Sequence, residues 1–314
     1  MNHFKFQLLI QLFCFVFSLS AEVYEIPKDT SYTSYQTYIK IRKKFPDIKL
    51  VEPINSSQLE CIEQVVYTEI KIKNVSRKLH LDVFRPNDNK IYPALIMIHG
   101  GGWRSGNKSM EKPMAQRTAL KGYVTIPVEY RLSLEAKCPA AVNDIKAAIR
   151  WVKVNAKEYG IDTSKIAIEG ESAGGQLAAL VAMTDCYSTI KALIDVDGVV
   201  DFLAPNSLNS PQKPDSPGSF WLGGTFEENP LNWKNASAIY YVNKKSPPVL
   251  FITSAQPRFH AGRDEMIDLL NQNGVYSESY SIPDTPHSFW LFDPWFDPTK
   301  NYITTFLQKI LKPI

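Results

Sequence analysis

The chain is poor in the residues that most metal and redox chemistry needs. It has four cysteines and five histidines in 314 residues, with no HExxH motif and no paired Cys/His spacing, so the sequence predicts no metal centre. It also lacks a G-x-G-x-x-G fingerprint and a G-x-x-x-x-G-K-[ST] loop, so neither a dinucleotide nor a P-loop nucleotide site is expected and no cofactor is called for. A strong charge bias is missing too. Thirty-five basic and 32 acidic residues leave a net charge of +3, spread without long blocks, which provides no footprint for nucleic acid or an anionic membrane surface. No internal repeat or low-complexity tract interrupts the chain.

What is present describes a globular protein. Hydrophobic residues make up 44% and charged residues 21%, enough to bury a sizeable core within one large α/β unit. Residues 1–20, "MNHFKFQLLIQLFCFVFSLS", place Lys5 before an apolar stretch and small residues before Ala21. That layout predicts a cleavable export signal, hence a secreted or periplasmic protein with no integral membrane span after cleavage. The three remaining cysteines, Cys61, Cys138 and Cys186, allow at most one intramolecular disulfide, in any of three pairings, or serve as small hydrophobes.

Residues 21–62 are polar and weakly periodic and read as an N-terminal arm. From 63 to 314 the pattern becomes regular. "VVYTEIKI" and "KLHLDVFRP" predict an antiparallel pair. "ALIMIHG", "YVTIPVEY", "KIAIEG", "ALIDVDG" and "PVLFITS" are short unbroken apolar runs, as expected of strands buried on both faces of a parallel sheet. Helical segments alternate with them, notably "PAAVNDIKAAIRWVKVNAKEYG" with apolar Val142, Ile145, Ala148, Ile149 and Val152, which implies right-handed crossovers. The aromatic and Pro/Gly-rich stretch at about 203–246 breaks this rhythm and predicts an insertion that roofs a site.

Two glycine-rich segments carry the chemistry. In "IEGESAGGQ", Gly170, Ser172 and Gly174 form G-x-S-x-G between a strand and a helix, where a sharp turn leaves a serine hydroxyl proud of the sheet as a nucleophile. In "HGGGW", His99 to Trp103, consecutive glycines permit close approach to bare backbone. Acyl transfer creates an oxyanion that such N–H groups can hold, so Gly101, Gly102 and Ala173 are assigned to the oxyanion hole, and His99 to structure. A serine needs a base; His287 in "SIPDTPHSFW", in a loop beyond the last strand-like run, is placed to serve.

These motifs, with "WLGGTFEENP" and "PDTPHSFWLF", resemble the α/β-hydrolase carboxylesterases of the hormone-sensitive-lipase and acetylxylan/feruloyl esterase (BD-FAE-like) group over residues 65 to 312. The resemblance implies an α/β-hydrolase fold, a serine esterase with Ser172 as nucleophile and His287 as base, and a small-molecule or polysaccharide ester as substrate, with acetyl groups on plant polysaccharides favoured. It also implies an acid just beyond "PVLFITS", yet the chain reads "TSAQPRFHAGRDEM" there, with no carboxylate before Asp264. Asp264 is therefore the expected acid, followed by Asp201 after the preceding strand and Asp284 beside the histidine. His260, Arg258 and Arg263 are expected either to contact substrate or to face solvent, and Trp103, Trp221, Trp290 and Trp295 either to stack on sugar rings or to fill a lid. A serine peptidase of the same fold and a non-catalytic carbohydrate-binding descendant stay as alternatives.

Overall fold

The computed structural model describes residues 26–311 apart from 28, 73–74, 206 and 208–213; the export signal expected in residues 1–20 lies outside them. Ten strands are present among the described residues: β1 (Lys49–Leu50), β2 (Leu59–Ile72), β3 (Val75–Pro86), β4 (Tyr92–Ile98), β5 (Val124–Val128), β6 (Ile161–Glu171), β7 (Ile190–Val196), β8 (Val249–Thr253), β9 (Ser277–Ser281) and β10 (Phe292–Asp293). Eight of them form one sheet in the order β2-β3-β5-β4-β6-β7-β8-β9. Only the pairs β2/β3 and β3/β5 are antiparallel, and every later pair is parallel.

The unbroken apolar runs follow from burial on both faces. Along β4, Ala94, Ile96 and Ile98 enter one core while Leu95 and Met97 enter the other, so a two-residue alternation of direction leaves no polar position. The first core lies beneath α3 (Ala140–Val154), α4 (Ala173–Met183) and α7 (Arg263–Gln272). Val142, Ile145, Ala148, Ile149 and Val152 of α3 are all buried, at the spacing of one helix face. The second core lies beneath α2 (Lys112–Ala119) and α8 (Phe296–Leu311).

Thr33 caps α1 (Ser34–Ile41) by accepting from the Gln36 N–H at 3.1 Å, and β1 pairs with β10. β2 begins at Leu59, opposite Pro86. Register shifts between Ile62 and Val65 and between Val66 and Thr68 remove the alternation that would have marked this longer strand in the sequence. The insertion folds into α5 (Pro217–Leu222) and α6 (Pro230–Ala236). Trp221 stacks on Trp103 with centroids 5.1 Å apart, and the Gln176 side-chain amide donates to the Ala236 carbonyl at 2.8 Å. The roof is thus fixed to the "HGGGW" segment and to α4. The three cysteines among the described residues are all free, and Cys61 and Cys186 are exposed rather than buried as small hydrophobes.

Candidate active site

Ser172 joins β6 to α4 with φ 55° and ψ −120°, a conformation that costs of order 1–3 kcal/mol for a non-glycine residue. The flanking glycines are sterically required. A Cβ on Gly170 would lie 2.2 Å from the Gly174 carbonyl oxygen, and one on Gly174 would lie 1.9 Å from the Ile98 carbonyl oxygen. The Ser172 N–H donates to the Val196 carbonyl at 2.8 Å, tying the turn to the neighbouring strand.

The Ser172 Oγ lies 2.8 Å from His287 Nε2, and His287 Nδ1 lies 2.7 Å from Asp197 Oδ2. Asp197 follows the last residue of β7, and its side chain is wholly buried. Its Oδ1 accepts from the Ser254 N–H at 3.0 Å and lies 3.3 Å from His260 Nδ1. Burial pushes this carboxyl up, but hydrogen bonds from His260 and His287, the charge of His287 and the Ser254 bond prevail and hold it at about 2. Phe259 lies against the His287 ring with centroids 3.3 Å apart, and Trp290 meets it edge-on at 5.3 Å. The arrangement can pass a proton from a serine hydroxyl to an imidazole whose orientation is fixed by a buried anion.

Asp264 does not take that place, which corrects the sequence expectation. It starts α7 on the outside of the molecule, its side chain 76% exposed and paired with Arg263. Asp201 accepts from the Leu203 N–H in its own turn, and Asp284 is an exposed turn residue with φ 53°. The carboxylate that meets His287 follows β7 rather than β8. Asp197 sat inside the run "ALIDVDG", where it read as part of a strand. An Asp-Gly at the C-terminal end of the strand beside the nucleophile's strand was the available signal.

Around Ser172 the "HGGGW" segment turns back on itself. Gly101 has φ 125°, and a Cβ there would lie 2.0 Å from the Ser105 carbonyl oxygen. Its own carbonyl accepts from the Ser105 N–H at 3.0 Å. Among the described residues none accepts from the N–H groups of Gly101, Gly102 or Ala173. Gly102 and Ala173 line, with Ser172, Val199, Pro217 and Phe259, a pocket of about 40 Å³. Gly101 stands one residue behind that lining.

His99 is buried, lies 2.8 Å through Nδ1 from the Gly100 carbonyl, and stacks on Tyr130. Burial pushes its imidazole down to about 4, against the hydrogen bond to Gly100. It is a neutral structural group. Trp103, Trp221 and Trp290 are at most 2% exposed and pack into the roof and core, Trp103 also lining the pocket beside Ser172. Trp295 packs edge-on against Phe45. Arg263 donates to Thr253 and pairs with Asp264, while Arg258 is exposed above the Phe259 ring.

Directly behind Ser172, Glu111, Glu169 and Glu171 bring carboxylate oxygens within 4.8 Å of one another, and burial pushes all three carboxyls up. No helix among the described residues is long and apolar enough to cross a membrane.

The BD-FAE family model matches residues 81–268. Esterase LipC of Mycobacterium tuberculosis is 26% identical over 256 residues, 73% of this chain and 62% of LipC. An arylesterase of Saccharolobus solfataricus is 31% identical over 201 residues, 61% of this chain and 62% of that protein. The matches to LipC, LipQ and LipM span 62, 54 and 56% of those curated relatives' lengths. Among solved structures, a truncated carbohydrate esterase from gut microbiota superposes with a TM-score of 0.69 at 24% identity, covering 82% of this chain and 99% of that one. A Rhizomucor miehei esterase superposes with a TM-score of 0.66 at 24% identity, covering 91% and 93%. These likenesses show the α/β-hydrolase fold.

Proposed function

Because the chain belongs to the BD-FAE family and has the α/β-hydrolase fold, we propose that it is a serine carboxylic-ester hydrolase acting through Ser172, His287 and Asp197. One observation carries the proposal: the hydrogen-bonded line from Ser172 Oγ through His287 to the buried Asp197, at 2.8 and 2.7 Å. His287 Nε2 accepts the Ser172 proton as Oγ attacks the ester carbonyl, and the carbonyl oxygen becomes an anion. The N–H groups of Gly101, Gly102 and Ala173 stabilise that anion, each such donor being worth roughly 3–4 kcal/mol in the transition state. The imidazolium, held by Asp197, then protonates the departing alcohol. Water activated by the same histidine releases the acid.

The substrate we propose is an acetyl ester on a plant polysaccharide or its fragments. Support comes from the small size of the pocket beside Ser172, about 40 Å³, which suits a short acyl group. A carbohydrate esterase among the structural relatives is consistent with it. We also propose export, on the layout of residues 1–20; N-terminal sequencing of the protein from its native host tests this, with a mature start near Ala21 expected and an intact Met1 contradicting it.

The test of function is acetate release from acetylated xylan, mannan and pectin, alongside p-nitrophenyl acetate and octanoate. Release from at least one polysaccharide, with kcat/KM for the acetate exceeding that for the octanoate by about tenfold or more, is expected. Turnover of octanoate alone, or cleavage of aminoacyl amides in preference to esters, contradicts the assignment.

A further inference from the structure

Glu169 and Glu171 stand two residues apart at the end of β6 and therefore project to the same face of the sheet. Glu111 closes the 3₁₀ turn Lys108–Glu111 that leads into α2. The three residues are 0, 4 and 0% exposed respectively, and one oxygen from each lies within 4.8 Å of the others. Independently of this proximity, no hydrogen-bond partner meets either oxygen of Glu169 or of Glu111 among the described residues. Lys108 at the start of that turn and Lys112 at the start of α2 are engaged elsewhere, with Asp82 and Glu63 respectively.

An ionised carboxylate buried without a partner costs several kcal/mol, so three together require neutralisation. A cation between the three satisfies them all. Oxygens bound to one Ca²⁺ at 2.3–2.6 Å lie at most about 5 Å apart, and the three carboxylate oxygens fall within that limit. The donor set is oxygen alone, without His or Cys, which selects hard divalent cations over zinc or copper. Three carboxylates able to bind through both oxygens suit the high, flexible coordination of calcium better than the tight octahedron of magnesium. A pocket of about 220 Å³, lined by Met110, Met114, Trp290 and Glu171 among others, supplies an entry path.

We propose that Glu111, Glu169 and Glu171 form a calcium site beneath the nucleophile elbow. The bound ion ties the end of β6, and with it the Ser172 turn, to the start of α2. This stands whether or not the chain hydrolyses esters. The test uses the whole purified chain stripped with EDTA and then titrated with CaCl₂ in a calorimeter, with Tm recorded in parallel. One Ca²⁺ per chain and a rise in Tm of roughly 3 °C or more are expected, reversed by EDTA and lost in Glu169→Gln and Glu111→Gln. Absence of both heat and Tm shift in the wild type overturns the proposal. So does an unchanged calcium response in either variant, or a response to Mg²⁺ or Mn²⁺ without one to Ca²⁺.

Discussion

His287 Nδ1 lies 2.7 Å from Asp197 Oδ2 across 90 residues of chain. This contact joins the loop after β9 to the turn after β7 and orients the imidazole toward Ser172. The acid is wholly buried, and it fixes the ring with Nδ1 against Asp197 and Nε2 against Ser172 Oγ.

Ser172→Ala removes the proposed nucleophile without altering the backbone that positions it, because the turn is set by Gly170, Gly174 and the Val196 bond. The expected outcome is a loss of ~10⁴ to 10⁶ in kcat with Tm within a few degrees of wild type. Esterase assay and thermal melting of the same preparation check both halves.

Gly174→Ala is expected to abolish folding rather than activity alone. The added Cβ would lie 1.9 Å from the Ile98 carbonyl oxygen, and this backbone ends β4 opposite Gly170 of β6, where it cannot yield without disturbing the pairing. Recovery of soluble protein with cooperative unfolding near the wild-type Tm would contradict the packing described here.

Gly101→Ala acts on the proposed oxyanion turn. Its Cβ would lie 2.0 Å from the Ser105 carbonyl oxygen, so the turn must open and its N–H groups move. Since these donors act on charge that develops in the transition state, kcat should fall by ~10² while KM changes less than about threefold. Steady-state kinetics on p-nitrophenyl acetate resolves the two, and a rise in KM alone would contradict the role.

His99 makes stability depend on acidity. Burial lowers its folded-state value from 6.5 to about 4, so unfolding takes up a proton between those limits. The contribution is fully present above pH 6.5 and disappears as pH falls through about 4, amounting to about 3 kcal/mol. Denaturant midpoints at pH 7 and pH 5 should differ more for wild type than for His99→Gln. Equal differences would contradict the account.

Much of this architecture was legible because it rests on local pattern. The five unbroken apolar runs became β4 to β8, since parallel strands bury both faces, and the glycines around Ser172 declared a turn that tolerates no Cβ. Ser172 and His287 were likewise recognisable from their motifs. Asp197 was not, because a polar residue ending an apolar run reads as the end of a strand, and only the sheet order reveals that β7 lies beside β6. Chain order favoured Asp264, but α7 turns it out to solvent and Arg263 holds it there. The tryptophans around the site gave no sign of their burial, since stacking of Trp103 on Trp221 joins segments more than 100 residues apart. The Glu111, Glu169 and Glu171 cluster was hidden for the same reason: its members come from two separate elements.

The most direct test of the account is the rate at which a fluorophosphonate probe labels Ser172, read by intact mass and peptide mapping, in wild type, Asp197→Asn and Asp264→Asn. An amide at the acid position holds the imidazole in the wrong tautomer, which costs ~10⁴ in established triads. The account predicts labelling at Ser172 in wild type, a rate within about twofold of wild type in Asp264→Asn, and a rate lower by ~10³ or more in Asp197→Asn. Wild-type labelling in Asp197→Asn together with its collapse in Asp264→Asn would contradict it.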